Sequence, residues 1–245
     1  EGNPAHPINQ GALCARGQAF IQGLYSPHRV ARPLIRREGR LVDASWEEAL
    51  SEVATRLRDA RSLGVLTGLE SGAFEELLAD ALASWPGATL VHHEPAALTA
   101  LAHASGLVFD RPEVPFVDLR GTDFVASLGA DFLDGFLSPV KLSREWAAEH
   151  GFGTSGRRMA LEYWGPRRNL TATGADRFRV VPADALGAAA VELLGAVFRR
   201  RRDGLPAERA ARYQAAIAAL GAPRSGIDVE PLAELLVAAH SPLVL

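Results

Sequence analysis

Cys14 is the only cysteine in the sequence, and the residues around it are chosen for backbone shape. It lies in Glu1-Gly-Asn-Pro-Ala-His-Pro-Ile-Asn-Gln-Gly-Ala-Leu-Cys14-Ala-Arg16-Gly17. Asn3-Pro4 and His6-Pro7 exclude helix at the residue before each proline. Gly11 and Gly17 bracket the thiol with residues that tolerate positive φ or close backbone approach. The expectation is a pre-shaped loop carrying Cys14, neither helix nor strand, with Arg16 two residues beyond. That loop is the first place to look for chemistry, although a lone cysteine is usually a small buried hydrophobe. No Cys-His pair at a catalytic spacing supports a nucleophile.

Other stretches could do chemistry. Gly68-Leu-Glu-Ser-Gly72 follows an apolar run and opens a helical one, where backbone amides can cradle phosphate; it is also an ordinary strand–helix turn. Gly129-Ala130-Asp131 follows another apolar run, and its carboxylate suits ribose hydroxyls or a guanine edge, or a plain helix cap. His92-His93-Glu94 resembles a metal cluster, yet neighbours on a strand face opposite ways, so at most one histidine converges with the glutamate. Gly165-Pro-Arg167-Arg168-Asn169-Leu-Thr171-Ala-Thr173-Gly-Ala-Asp176 joins paired guanidiniums to hydroxyls, which suits a phosphate-bearing ligand or a solvated loop. Asn169-Leu-Thr171 matches a glycosylation acceptor, a short pattern that mostly arises by chance. Arg199 to Arg202 reads as a solvated helix end favoured by the helix dipole.

The elements that must position these residues follow from periodicity. Ser45 and Glu48 form a capping box, and Trp46, Ala49, Leu50, Val53 and Leu57 recur at helical spacing, predicting a helix over 46–61. A short helix is expected over 18–25 and an extended basic lead with a turn over 29–40. Strands are expected at 63–67, 88–92, 123–128, 158–163, 178–181 and 242–245. Helices are expected near 70–85, 95–105, 140–150, 185–202, 206–220 and 230–240, with loops at 106–121 and after 163. Alternating strands and helices, with strands apolar on both faces, predict a doubly wound, mostly parallel sheet with helices on both faces and an irregular N-terminal lead segment.

The chain has 245 residues, a net charge of −3, 48% apolar and 22% charged residues. That is ordinary for a globular protein and gives no reason to expect a nucleic-acid partner. One cysteine excludes an internal disulfide framework. No apolar run reaches the ~18 residues of a membrane span. The opening at Glu1 without methionine and the apolar ending Pro242–Leu245 predict a segment of a longer polypeptide. The expected organisation is an entry segment over 1–45 and an α/β domain over 46–245, cut short at its C-terminus.

The N-terminal string, with Tyr25-Ser-Pro-His-Arg29, Pro33-Leu34, Arg36 and Trp46-Glu-Glu-Ala-Leu50, resembles the entry region of the prokaryotic molybdopterin oxidoreductases. The resemblance implies that Cys14 is the fourth ligand of a [4Fe-4S] cluster, the other three lying outside this segment. It implies that Arg16 is the basic residue between cluster and pterin on the electron path. Glu162-Tyr-Trp-Gly-Pro-Arg167, Leu170-Thr171-Ala-Thr173-Gly-Ala-Asp176 and Val181-Pro-Ala-Asp184 are similar to the family's grip on a molybdopterin guanine dinucleotide. The cofactor-binding candidates are therefore Gly129, Asp131, Arg167, Thr171, Thr173 and Asp184. The last motif is shortened to Pro182-Ala183-Asp184, and Asp131 stands where the family has asparagine followed by proline. The family's molybdenum ligand would fall between residues 92 and 123, where no cysteine occurs and only Ser105 or Asp110 remain by elimination.

These departures resemble one branch in particular, the molybdopterin-type large iron–sulfur subunit of alternative complex III, whose near relatives are polysulfide-reductase-like. The resemblance implies a scaffold domain lacking molybdenum in a respiratory quinol-oxidising complex. It implies partners that include iron–sulfur and quinone-binding integral membrane subunits, and a peripheral place on the periplasmic face of the inner membrane. The alternatives are a catalytic bis-pterin molybdenum oxidoreductase of polysulfide/thiosulfate-reductase or formate-dehydrogenase type, and an unrelated nucleotide-binding α/β module.

Overall fold

The computed structural model describes residues 2–68, 70, 72–95, 98–151, 158–221 and 223–245. The chain separates into two compact units, one formed by the N-terminal residues to Ile21 with Val117–Leu245, the other by Gln22–Phe116.

The chain opens with helix α1 (Ala15–Leu24). A hairpin of β1 (Leu34–Arg37) and β2 (Arg40–Asp43) follows, antiparallel with Arg37 opposite Arg40. Its two-residue turn, Glu38-Gly39, has both φ angles positive, at 48° and 80°, the backbone that matches the twist of paired strands. The expected extended lead with a turn is thus present, and the structure adds the pairing of its two arms across Glu38-Gly39. Helix α2 (Trp46–Asp59) carries the expected capping box: Glu48 N donates to Ser45 Oγ at 3.1 Å and Ser45 N to Glu48 Oε2 at 2.9 Å. Next come β3 (Gly64–Thr67), α3 (Ala73–Leu82), β4 (Thr89–His92) and α4 (Thr99–Phe109), with β3 and β4 parallel. Residues 106–109, expected to be loop, complete α4, which ends at Asp110 in the left-handed region, φ 57°.

The second half is β5 (Phe124–Leu128), α5 (Pro139–His150), β6 (Ala160–Gly165), α6 (Leu170–Gly174), β7 (Arg177–Val180), α7 (Ala183–Arg201), α8 (Ala207–Ala219), α9 (Glu230–Ala238) and β8 (Pro242–Val244). Helix α6 is a single turn inside the stretch expected to be a polar loop. These four strands form one parallel sheet in the order β7-β6-β5-β8.

Both faces of this sheet are covered, which is why its strands read as near-continuous apolar runs. Side chains alternate along β5: Phe124 and Ala126 join Trp164, Leu193, Leu232 and Leu236 beneath α7 and α9. Val125 turns the other way, to Phe132, Leu142, Met159 and Leu161 beneath α5. The architecture is mixed α/β, a mostly parallel sheet flanked by helices, as its periodicity predicts.

A buried ion pair fastens α5 to the segment before β5. Lys141 Nζ lies 2.7 Å from Glu145 Oε2 and donates to Val117 O, also at 2.7 Å. Glu145 Oε2 accepts Leu119 N at 3.2 Å, so both buried charges have partners, as their desolvation demands.

The arginine run at the end of α7 is not merely solvated. Arg199 and Arg200 pair with Glu230, Arg200 also with Glu234, and Arg201 donates to Val237 O. These bonds join the C-terminal turn of α7 to α9.

Candidate functional site

Chain order runs β5, β6, β7 to one side, then returns to β8 on the other side of β5. The order therefore reverses between β5 and β8, and ligands of open α/β sheets bind beyond the carboxyl ends of the strands at such a point. Six of the sequence-predicted residues fall on this rim. Gly129 and Asp131 follow β5, Arg167, Thr171 and Thr173 follow β6, and Asp184 lies in the first turn of α7 after β7.

Gly129 has φ +88°, and a Cβ there would come within 3.2 Å of Leu186 Cδ1. Both facts favour glycine, which lets the chain turn sharply off β5. Ser127 Oγ donates to Ala130 O at 2.7 Å and firms the same turn.

Asp131 and Thr171 hold each other. Thr171 N and Oγ1 donate to Asp131 Oδ1 at 3.1 and 2.6 Å, and Thr171 Oγ1 accepts Leu133 N at 3.1 Å. Thr171 is fully buried. Its hydroxyl is thus occupied as donor and acceptor within the protein, and Asp131 serves the start of α6.

Asn169 caps α6, its Oδ1 accepting Ala172 N at 2.8 Å, while its Nδ2 donates to Tyr163 Oη at 2.7 Å. Burial pushes the Tyr163 phenol above its ordinary value, opposed by the Asn169 hydrogen bond. Thr173 is exposed, and its Oγ1 donates to Asn169 O at 2.8 Å. Arg167 and Asp184 are both exposed on this rim. Arg168 stands over the Phe178 ring at 5.0 Å. Asp176 accepts Leu161 N and pairs with Arg158, tying the end of the loop to β6.

At the N-terminal segment, Cys14 immediately precedes α1, which starts at Ala15 rather than at the expected Gln18. Its carbonyl accepts Gln18 N at 3.1 Å, so it occupies the helix N-terminus. The Gly17 amide, aimed at the thiol, holds Cys14 below its ordinary value, with smaller help from the Arg16 amide and charge. A helix N-terminus favours the thiolate, the form that ligates metal. Arg16 reaches across to the turn after β5: its Nη2 meets both Asp134 carboxylate oxygens at 3.0 Å, and its Nη1 donates to Asp134 O at 3.3 Å. Asp134 has no distinguishing local motif, and its partner lies 118 positions away.

The remaining candidates belong to the Gln22–Phe116 unit. His92 Nδ1 contacts Gly68 O at 3.2 Å and its Nε2 lies 3.7 Å from Glu75. Among the described residues, no group of three His, Cys, Asp or Glu side chains is placed to hold a metal ion. Residues 69 and 71 of the Gly68–Gly72 turn lie outside the described residues; Gly72 precedes α3 with φ 83°. Ser105 is buried on α4. An apolar cavity of about 430 Å³ lies between α7, α9 and β8, lined among others by Leu128, Leu194, Val197 and Val244; none of the site candidates lines it.

Residues 29–76 match the molybdopterin oxidoreductase family. The chain is molybdopterin oxidoreductase-like. It is 32% identical over 179 residues to the menaquinone reductase, molybdopterin-binding-like subunit of Nitratidesulfovibrio vulgaris, covering 71% of this chain and 26% of that protein. It is 36% identical over 74 residues to formate dehydrogenase 2 subunit alpha (cytochrome c-553) of the same organism, covering 29% of this chain and 7% of the relative. It is 41% identical over 56 residues to the F420-dependent formate dehydrogenase subunit alpha of Methanocaldococcus jannaschii, 23% of this chain and 8% of the relative. The chain thus spans about a quarter or less of the length of these relatives.

The family implies a molybdopterin cofactor, and the residues meet that requirement only in part. Arg167 and Asp184 are exposed and suit a phosphate and an aminopyrimidine edge. Asp131 and Thr171 are bound to each other, and Thr171 is wholly buried. Of the six candidates, Thr171 has its side chain taken up within the protein, while Arg167, Thr173 and Asp184 face solvent on the rim. A [4Fe-4S] cluster needs four thiolates as a rule, and this chain supplies one.

Proposed function

We propose that this chain is part of a molybdopterin oxidoreductase-like subunit of a respiratory quinol-oxidising electron-transfer complex, in which its α/β domain is a scaffold without molybdenum. The observation that carries this reading is the Asp131–Thr171 pair. At the family's ligand rim the wholly buried Thr171 hydroxyl is taken up inside the protein, donating to Oδ1 of the half-buried Asp131 and accepting Leu133 N. The shortened Pro182-Ala183-Asp184 motif points the same way. The 32% identical relative is itself described as a molybdopterin-binding-like subunit of a menaquinone reductase. On this reading Cys14 completes a cluster whose other ligands come from elsewhere, and Arg16 lies beside it on the electron path. The partners are iron–sulfur and quinone-binding integral membrane subunits, and the complex resembles alternative complex III on the periplasmic face.

A second reading is favoured by Arg167 and Asp184, which stand exposed at the strand ends, and by the formate dehydrogenase relatives. Here the subunit is catalytic, with a bis-pterin molybdenum site held by a non-cysteine ligand.

Metal analysis of the intact native complex separates the two. Iron without molybdenum is expected; one molybdenum per chain would overturn the scaffold. In that event Arg167→Ala and Asp184→Asn should each lower molybdenum retention, and unchanged metal content in both would sink the catalytic reading as well.

A further inference from the structure

The N-terminal segment has little apolar anchorage of its own. Helix α1 buries no residue, and Phe20 and Ile21 are 82% and 59% exposed. Among the described residues, the hydrogen bonds of residues 2–21 are local, apart from those that Arg16 makes with Asp134. Asp134 by contrast sits on a braced turn. Asp134, Gly135 and Phe136 all donate their amides to Asp131 O, at 3.1, 2.9 and 3.0 Å. Asp131 is held by Thr171, and Ser143 on α5 donates to Leu133 O at 3.3 Å. The turn is thereby fixed to β5, α5 and α6 at once.

We infer that Asp134 is the positioning residue of Arg16, a carboxylate clamp that docks the Cys14 segment on the β5 turn and makes Arg16 half of a neutral pair. Three contacts from one guanidinium to one residue fix its plane as well as its distance, which a lysine in place of Arg16 would not reproduce. A group approaching Arg16 meets a compensated pair and not a bare cation. The clamp also couples two parts of the molecule that sequence treats separately. What holds Asp131 to Thr171 holds the platform to which Arg16 is bound.

The test is hydrogen exchange on the full-length protein, following amides 15–21, for Asp134→Asn, Asp134→Glu, Arg16→Met, and Arg16→Asp combined with Asp134→Arg. Asp134→Asn keeps the shape and removes the charge. It should speed exchange of these amides roughly two- to fivefold, the range for a partly exposed ion pair, and leave amides of β5 and β6 unchanged. Asp134→Glu and the reversed pair should recover most of the protection. Arg16→Met added to Asp134→Asn should bring less than the product of the two single effects, because both act on the one pair and Arg16→Met removes only the remaining bond to Asp134 O. Unchanged exchange in Asp134→Asn, or additive effects in the double variant, would overturn the clamp. Equal loss in Asp134→Asn and Asp134→Glu would do the same, since a charge pair tolerates the longer carboxylate where a purely steric contact does not.

Discussion

Thr171 Oγ1 donates to Asp131 Oδ1 at 2.6 Å while accepting Leu133 N at 3.1 Å, so one buried hydroxyl joins the turn after β5 to the start of α6. Its replacement by valine keeps the volume and removes both bonds. Leu133 N is then left without its partner at a buried position. The expected cost for Thr171→Val is about 1–3 kcal/mol, the penalty of stranding a buried polar group. Urea unfolding should show a lower midpoint with an unchanged slope. Thr171→Ser, which retains the hydroxyl, should lose much less.

The Lys141–Glu145 pair gives a sharper contrast. Their side chains are 6% and 5% exposed, and each also serves the backbone of the segment before β5. Lys141→Met leaves the buried Glu145 carboxylate with only Leu119 N and the longer Arg120 contact at 3.7 Å, and should destabilise toward the lower end of roughly 3–5 kcal/mol. Lys141→Met with Glu145→Leu should be less harmful than Lys141→Met alone. Leu119 N and Val117 O lose their partners in that double variant, so it should not reach the stability of the natural chain. Chemical denaturation of the three proteins checks the order.

Gly165 closes β6 where a side chain has no room. A Cβ there would stand 2.6 Å from Tyr163 Cε1 and 2.8 Å from its Oη. Tyr163 is 2% exposed and receives a hydrogen bond from Asn169, so the ring cannot simply swing aside. Gly165→Ala should cost about 1–3 kcal/mol, typical of forced overpacking, and lower the thermal midpoint. An unchanged midpoint would show that the ring yields freely.

Much of this fold is legible in the sequence because its causes are local. The Ser45–Glu48 capping box and the spacing of Trp46, Leu50, Val53 and Leu57 give α2 to within two residues. Continuous apolar runs mark β5 and β6 because both faces of the sheet are covered. The extended lead and its turn near Gly39 are legible, but the pairing of β1 with β2 is not, because Leu-Ile-Arg-Arg and Arg-Leu-Val-Asp lack clean alternation and Glu38 is an uncommon residue at positive φ. At the rim, the residue types of Asp131 and Thr171 suggest a ligand site, but their roles depend on a contact across 40 positions. Asp134 carries no signal at all until the fold brings it to Arg16. The buried pair on α5 has visible i, i+4 spacing, yet that spacing is usual on solvated helices, and only tertiary packing tells that it is internal.

Asp123 links acidity to the edge of the sheet. Its carboxylate accepts His240 N at 2.8 Å and Ser241 N at 2.9 Å, holding the start of β8 against β5. Burial pushes its carboxyl up, but the Ser241 and His240 amides outweigh it, and the group lies below its ordinary value. A depressed carboxyl binds its proton less readily in the folded chain than in the unfolded one. Its stabilisation is therefore complete above the unfolded value of about 4 and is lost as pH falls through the folded value. Lowering the pH from 6 toward about 3 should reduce the protection of amides 240–245, taken relative to their intrinsic exchange at each pH, more than that of the amides of β6. Asp123→Asn should exchange faster there already at pH 6 and respond less to acid, because the titrating group is gone. Equal acid sensitivity in Asp123→Asn and the natural chain would assign the effect to other carboxylates.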